Sequence, residues 1–276
     1  MKMRTLLVLT GLCCAPMLPL SASDWPQWRG PDRTDVSKET GLLKSWPKTG
    51  PKLVWTYSDA GTGYSGPAIV GQRLYTLGGD GDKEFLYALD LTGAMPTKAW
   101  SVELGRFFSN RNGDGPRCTP TVDGDLIYAL GGHGDLICVE ATAGKKVWHI
   151  NIKSDLKGSM MSGWGYSESP LVDGDKVVCM PGGAQGAMAA FDKKSSHIVW
   201  RSKGFTDAAA YSSLVVANFG GVRQYVTMTG KSVAGVAAED GRLLWRYQNL
   251  TPPAELGLAL RAFIGLPKYA ELIPES

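Results

Sequence analysis

An all-β fold of repeated four-stranded units, about four of them in one chain, follows from three features of the sequence. Tryptophans recur at Trp55, Trp100, Trp148, Trp200 and Trp245, at intervals of 45, 48, 52 and 45 residues. Within each interval short apolar runs alternate with turn signals such as Asp123-Gly124-Asp125, Asp173-Gly174-Asp175 and the pairs Gly78-Gly79, Gly131-Gly132 and Gly182-Gly183. Asp-Gly between alternating apolar residues is a hairpin signal. Glycine, 35 of 276 residues, exceeds its usual share of ~7% and clusters at these turns. Four strands joined by tight turns at a period near ~45 residues make a β-propeller blade, and four such blades make a partial ring.

The elements follow in order. Residues 1–23 have a positive start (Lys2, Arg4), an apolar run from Leu6 to Leu12 and a small-x-small site at Ser21-Ala22-Ser23, the layout of a secretory signal peptide. The run is too short to span a bilayer, which needs ~20 residues, so no integral membrane span is expected. Cleavage near Ser23 and a periplasmic or secreted location are expected. The residues before Cys13 and Cys14 fit a lipid-attachment box poorly. An N-terminal extension covers 24–51, and Lys52–Tyr57 reads as a first strand. The propeller repeats cover 52–248, with blades at about 58–102, 103–150, 151–202 and 203–248. The second is the cleanest: Thr119–Val122, Leu126–Leu130, Leu136–Glu140 and Lys146–Ile150 read as strands. After Leu250 the pattern stops, and the tail 249–276 reads as irregular, with a short apolar helix over Glu255–Gly265.

Each blade needs its faces covered by neighbours, so each presents the same large anchor. The five tryptophans are therefore expected to be structural docking residues, each burying ~150–250 Å². The turns before them (Thr92-Gly93, Ala143-Gly144, Ser195-Ser196, Asp240-Gly241) set the register.

Removing Lys2 and Arg4 with the leader leaves 27 basic and 26 acidic residues, which excludes an electrostatic footprint for nucleic acid. The remaining cysteines are Cys118, Cys138 and Cys179. An odd count allows at most one internal bridge, and all three are expected as small buried apolar residues.

The pattern Ala88-Leu89-Asp90-Leu91-Thr92-Gly93 with Trp100 resembles the tryptophan-docking motif of pyrroloquinoline-quinone (PQQ)-type propeller repeats. The later copies depart from it: Glu140 replaces the aspartate, Ser196 the glycine, and Ala237 the acid. The opening Asp24-Trp25-Pro26-Gln27-Trp28-Arg29-Gly30-Pro31 also looks like the start of this superfamily. The resemblance covers about 24–248. It implies the blade fold shared by quinoprotein alcohol dehydrogenases and by the propeller lipoprotein of outer-membrane barrel assembly. Relatives close with seven or eight blades. Two readings of four blades therefore stand: a truncated ring, which is favoured, or a ring closed by four. Open blade faces would invite self-association.

A quinoprotein would need a cation held by oxygen ligands and a general base. The resemblance also implies adjacent bridged cysteines, and the only adjacent pair, Cys13-Cys14, lies in the leader. No Glu/Asn/Asp set matches, so neither PQQ nor calcium is expected as a cofactor, and no catalytic or metal residue is assigned. Asn110–Gly115 half resembles a calcium loop but has Thr121 where the bidentate glutamate belongs, and it is expected to be a plain polar loop. His133, His149 and His197 lack zinc spacing, and His133 is expected to face water. The segments entering the innermost strands bring Tyr64, Arg117, Trp164, Tyr166, Glu168 and Tyr211 toward one mouth of the channel. That mouth is the candidate ligand site, for a protein, peptide, carbohydrate or anion; its tyrosines alternatively only pack the rim. The expected function is a non-catalytic extracytoplasmic binding or assembly scaffold. The alternative is a quinoprotein-type oxidoreductase, or a truncated remnant of one.

Overall fold

Sixteen strands form four separate four-stranded sheets in the computed structural model, which describes residues 23–248. The first sheet holds β1 (Ala68–Val70), β2 (Arg73–Asp80), β3 (Lys83–Asp90) and β4 (Thr97–Arg106). The second holds β5 (Thr121–Asp123), β6 (Leu126–Leu130), β7 (Asp135–Glu140) and β8 (Lys146–Asn151). The third holds β9 (Leu171–Asp173), β10 (Lys176–Cys179), β11 (Ala189–Asp192) and β12 (Ile198–Arg201). The fourth holds β13 (Val215–Phe219), β14 (Val222–Met228), β15 (Val233–Ala237) and β16 (Leu243–Tyr247). Every sheet is an antiparallel meander in chain order, which makes an all-β molecule of about four blades. The leader and the tail helix expected over Glu255–Gly265 lie outside the described residues.

The inner hairpins show why glycine recurs. Gly71, Gly124 and Gly174 have φ of 56°, 56° and 59°, and a Cβ at any of them would meet nothing. Space is not the constraint there. Only the left-handed backbone of a two-residue turn is, and glycine adopts it without steric cost.

The tryptophans join the blades. In each sheet the third and fourth strands slip register beside the tryptophan. Trp100, Trp148, Trp200 and Trp245 then stand opposite small residues: Ala88, Cys138, Ala190 and Gly235. The Trp100 ring lies on Gly144 of the next blade, where a Cβ would come within 2.7 Å. The Trp200 ring lies on Gly241, where it would come within 2.5 Å. The Trp148 indole donates to Lys193 O of the third blade at 3.0 Å, and that of Trp200 to Ala238 O of the fourth at 3.3 Å. Ser196 stands where these turns have glycine, and it keeps φ at 62°. The left-handed turn therefore persists at a steric cost of ~1–2 kcal/mol.

The two ends differ. Trp245 is 37% exposed, and its indole donates to Gln224 Oε1 of its own blade at 2.6 Å. Lys52–Tyr57, expected as a strand, is not one. Leu53 and Val54 are 75% and 77% exposed, and Trp55 is 36% exposed; among the described residues this run has no strand to pair with. The chain joins the first sheet further on, where Thr62 and Gly79 exchange backbone hydrogen bonds of 2.9 and 2.7 Å. The outer strand β4 runs to Arg106, past the expected blade end at 102, because Lys83 still pairs with it there.

The N-terminal extension crosses the innermost strands. Trp25 exchanges backbone bonds with Ile69 at 2.7 and 2.9 Å, and Val122 N donates to Pro26 O at 2.8 Å. Arg33 is buried beyond them. Its guanidinium donates to Leu214 O (3.0 Å), Pro170 O (3.1 Å), Ser169 O (2.9 Å) and Gln27 Oε1 (2.9 Å). One side chain thus ties the extension to the third and fourth blades.

Deleting a buried aromatic costs ~3–5 kcal/mol, and an exposed one far less. Trp200→Ala should lower the urea-unfolding free energy by about that amount, and Trp245→Ala by about 1 kcal/mol or less. Equal losses would mean that the joint between blades is not where the tryptophans act.

Candidate functional site

The residues that enter the innermost strands repeat one arrangement. Ser65 Oγ, Cys118 Sγ, Glu168 Oε1 and Ser212 Oγ accept the backbone N–H groups of Leu77, Leu130, Met180 and Met228, at 3.0, 3.4, 2.5 and 3.3 Å. Each blade fastens its inner strand to the next with one side chain. The adjacent positions link blades: Thr119 N donates to Ser169 Oγ, and Ser169 N to Ser213 Oγ, both at 2.9 Å.

Glu168 breaks the series. One oxygen suffices for Met180 N, and its buried Oε2 has no hydrogen-bond partner. Burial raises its pKa to about 8, against the Met180 bond and the charge of Arg33. Desolvation also lowers Arg33 to about 10, opposed by Glu168. Tyr166 is equally enclosed, 1% exposed, with its hydroxyl donating to Pro181 O at 2.9 Å. Tyr166 and Glu168 therefore belong to the wall and not to an open mouth; their backbone enters the sheet between packed blades.

The other four candidates lie outside the wall, in two groups. Tyr64 is 65% exposed and rests on Gly113, where a Cβ would come within 2.7 Å of the ring. Arg117 lies 5.9 Å from the Tyr64 ring centre and 4.8 Å from that of Phe108. It donates to Gly113 O at 2.6 Å and Gly115 O at 3.2 Å. Trp164 is 49% exposed and stacks on Tyr211, with ring centres 5.7 Å apart at 29°. The Tyr211 hydroxyl bonds Ser162 Oγ.

The polar loop at 109–115 connects the groups. Asp114 Oδ1 accepts from Ser109 Oγ at 2.9 Å and Asn110 N at 2.8 Å, and Asn110 Oδ1 accepts from Asn112 N at 3.0 Å. Two of the oxygens that a calcium loop would aim at an ion, Asn110 Oδ1 and Asp114 Oδ1, are turned onto the loop itself. The Asn110 amide donates to Gly163 O at 2.9 Å, beside Trp164. Thr62, Tyr64 and residues 109–114 line an open depression of ≈ 550 Å³.

Sequence reasoning missed two buried acids. Glu84 accepts from Phe108 N at 3.3 Å and Gly132 N at 3.0 Å, and burial raises it to about 7 against those bonds. Asp207 accepts from Thr229 Oγ1 and Ser232 Oγ, both at 2.6 Å, and from Arg246. Burial pushes Asp207 up, but these donors outweigh it and the pKa falls. Neither acid sits in a motif, so no sequence signal marked them. His133, expected in water, is half-buried on the Phe108 ring and its Nε2 bonds Phe107 O at 3.2 Å. Cys118, Cys138 and Cys179 are buried free thiols. Among the described residues, no three His, Cys, Asp or Glu side chains are grouped to hold a metal ion, and no helix is long and apolar enough to cross a membrane.

A family model described as outer membrane protein assembly factor BamB matches residues 87–257. The chain is 25% identical over 151 residues to outer membrane protein assembly factor BamB of Nitrosomonas eutropha, which covers 53% of this chain and 31% of that protein. It is 27% identical over 161 residues to the lanthanide-dependent methanol dehydrogenase of Methylacidiphilum fumariolicum, covering 54% of this chain and 25% of that protein. It thus spans about a third or less of the length of these two proteins. The crystal structure of quinohemoprotein alcohol dehydrogenase from Comamonas testosteroni has a similar fold, with a TM-score of 0.59 and 18% identity over 82% of this chain and 41% of that one.

The raised pKa of Glu168 has a definite sign. Its folded value, about 8, lies above the ordinary value of 4.5. The folded state therefore prefers the neutral acid, and the stability this gives is complete below about pH 4.5 and is lost as pH rises to about 8. Glu168→Gln is neutral throughout. The stability of the variant minus that of the parent should rise between pH 5 and pH 8 by roughly 3–5 kcal/mol and then level off. Denaturant melts across that range check it, and a flat difference would show that Glu168 does not titrate there.

Proposed function

The chain belongs to the PQQ-like propeller family whose model is described as outer membrane protein assembly factor BamB, and from that premise we propose that it is a non-catalytic, extracytoplasmic binding or assembly scaffold. One observation carries this reading. Glu84 and one oxygen of Glu168 hold the protein's own backbone N–H groups, the other Glu168 oxygen being enclosed in the wall, while the 109–115 loop is tied down and leaves aromatic side chains exposed beside it. A loop already ordered before binding loses little entropy when a ligand arrives. The depression beside Tyr64 and the Trp164–Tyr211 stack are the places where a protein, peptide or carbohydrate would be held. The extracytoplasmic location is supported by the layout of residues 1–23.

The similarity to a methanol dehydrogenase keeps a second reading in view, a quinoprotein-type oxidoreductase or a remnant of one. The residues present do not fit a quinone with its cation. Both oxygens of Glu84 accept backbone N–H groups, Asp207 is saturated by Thr229, Ser232 and Arg246, and the Arg33 guanidinium is spent on three carbonyls and Gln27. Glu168 keeps an unpartnered oxygen, Oε2, but it is enclosed in the wall, and among the described residues no three His, Cys, Asp or Glu side chains are grouped to hold a cation.

Titration of the full chain with PQQ and calcium or lanthanum, followed by intrinsic fluorescence and dye-linked alcohol oxidation, should show neither saturable one-to-one binding nor turnover. Stoichiometric binding with turnover would replace the scaffold reading by the enzyme. In a Gram-negative expression host, fractionation should place the protein outside the inner membrane, with a mature N-terminus near Asp24. A cytoplasmic chain that keeps Met1 would overturn the location.

A further inference from the structure

We infer that the surface carrying Tyr64 and Trp164 binds a neutral oligosaccharide; this rests on the binding-scaffold reading and names its ligand class. Both rings are held by neighbours and exposed. Gly113 and the Arg117 guanidinium support Tyr64, and Tyr211 stacks on Trp164. With 65% and 49% exposure, each presents an apolar surface to solvent. Flat, rigid aromatic surfaces suit the C–H face of a pyranose ring, which offers apolar hydrogens on one side and hydroxyls around its edge.

The polar groups agree. Neutral hydroxyls and amides (Thr62, Ser109, Asn110 and Asn112) line the depression beside Tyr64 together with one cation, Arg111, and one anion, Asp114, so its lining carries no net charge. The Asn112 amide, able to donate and accept, has no hydrogen bond to another described side chain. Hydroxyl and amide groups match the neighbouring hydroxyls of a sugar, and ordered sugar recognition needs no net charge.

A peptide strand fits this surface less well. Strand addition requires a run of free backbone N–H and C=O groups, and here seven N–H groups along the surface, those of Thr62, Tyr64, Asn110, Asn112, Gly113, Gly115 and Trp164, are taken. Thr62 N bonds Gly79 O, Tyr64 N bonds Pro116 O, Gly113 N bonds Asn110 O, and Gly115 N bonds Phe108 O. Asn110 N and Trp164 N are held by side chains. The surface offers side chains and not a sheet edge. The bond from Asn110 to Gly163 O makes the two aromatic groups parts of one tied surface, which suits a ligand several rings long.

The test is calorimetric titration of the full chain with cellohexaose, maltohexaose and hexa-N-acetylchitohexaose. At least one should bind with a Kd between about 10 µM and 1 mM. Tyr64→Ala and Trp164→Ala should each weaken it about 10-fold or more, while Trp55→Ala, exposed but outside this surface, leaves it unchanged. Asn112→Ala, on an exposed loop side chain, should weaken it about 3-fold or more and guards against misfolding of the aromatic variants. No binding by any of the three sugars at about 10 mM, or binding indifferent to all three surface substitutions, overturns the inference. Capture of a peptide through Tyr64 and Trp164 without sugar binding also overturns it, yet leaves the scaffold reading intact. Quinone-dependent turnover would instead sink that reading itself.

Discussion

A blade has two apolar faces and no means of covering both, so everything else in this molecule depends on the joint between one blade's tryptophan and the next blade's turn. The joint has a strict geometric demand. A bulky ring must lie on the backbone of a left-handed turn; Gly144 and Gly241 leave no side chain in its way, and Ser196 takes the equivalent place in the third blade with the same backbone, φ 62°. The bulge beside each tryptophan swings the ring over a small residue of its own sheet, so the same small partner recurs as Ala88, Cys138, Ala190 and Gly235. At Trp148 and Trp200 a hydrogen bond from the indole to the next blade's carbonyl also fixes orientation, whereas the buried Trp100 Nε1 has no partner and packing alone holds that ring. Among the described residues the fourth blade's joint has no receiver, and there Gln224 takes the indole N–H.

The inner edges are held by different means. Three of the four innermost strands have only three residues and make few ladder bonds, so side chains supplement them. The row Ser65, Cys118, Glu168 and Ser212 fastens each inner strand, and the row Thr119, Ser169 and Ser213 links blade to blade. Arg33 adds a cation to the same region, and the desolvation of its guanidinium is offset by four hydrogen bonds and by a buried carboxyl nearby. Leaving any of those carbonyls unpaired in the interior would cost about 1–3 kcal/mol. The extension is therefore a structural component of the wall.

These two systems were not equally visible in the sequence. The tryptophan joint repeats at a near-constant interval, and the hairpin turns need Asp-Gly or Gly-Gly, so both leave periodic marks that predicted all four sheets. Arg33 bonds partners 136, 137 and 181 residues away from an irregular segment, and no local pattern encodes such a contact. Lys52–Tyr57 has the composition of a strand, but a strand exists only where another pairs with it. The six mouth candidates were read from equivalent places in successive repeats. Equivalence in sequence does not tell a side chain turned into the wall, as in Tyr166 and Glu168, from one left outside, as in Tyr64 and Trp164. That division is decided by the packing of the connecting segments, which carry no periodicity.

The division also explains how one blade design can serve unrelated tasks. Substitutions in the wall are constrained by a backbone N–H or a neighbouring ring, so wall positions can vary only among groups that meet the same need: a hydroxyl, a thiol or a carboxyl at the row of Ser65. Positions outside the wall face no such demand. The 109–115 loop holds its own shape through Asp114, Asn110 and Arg117, so Arg111 and Asn112 at its exposed tip are free of structural duty. Tyr64 and Trp164 are similarly released, because Gly113, Arg117 and Tyr211 carry the packing beneath them. A surface supported in this way can change its ligand without disturbing the joints between blades, and the chemistry of a chain like this one must be sought there.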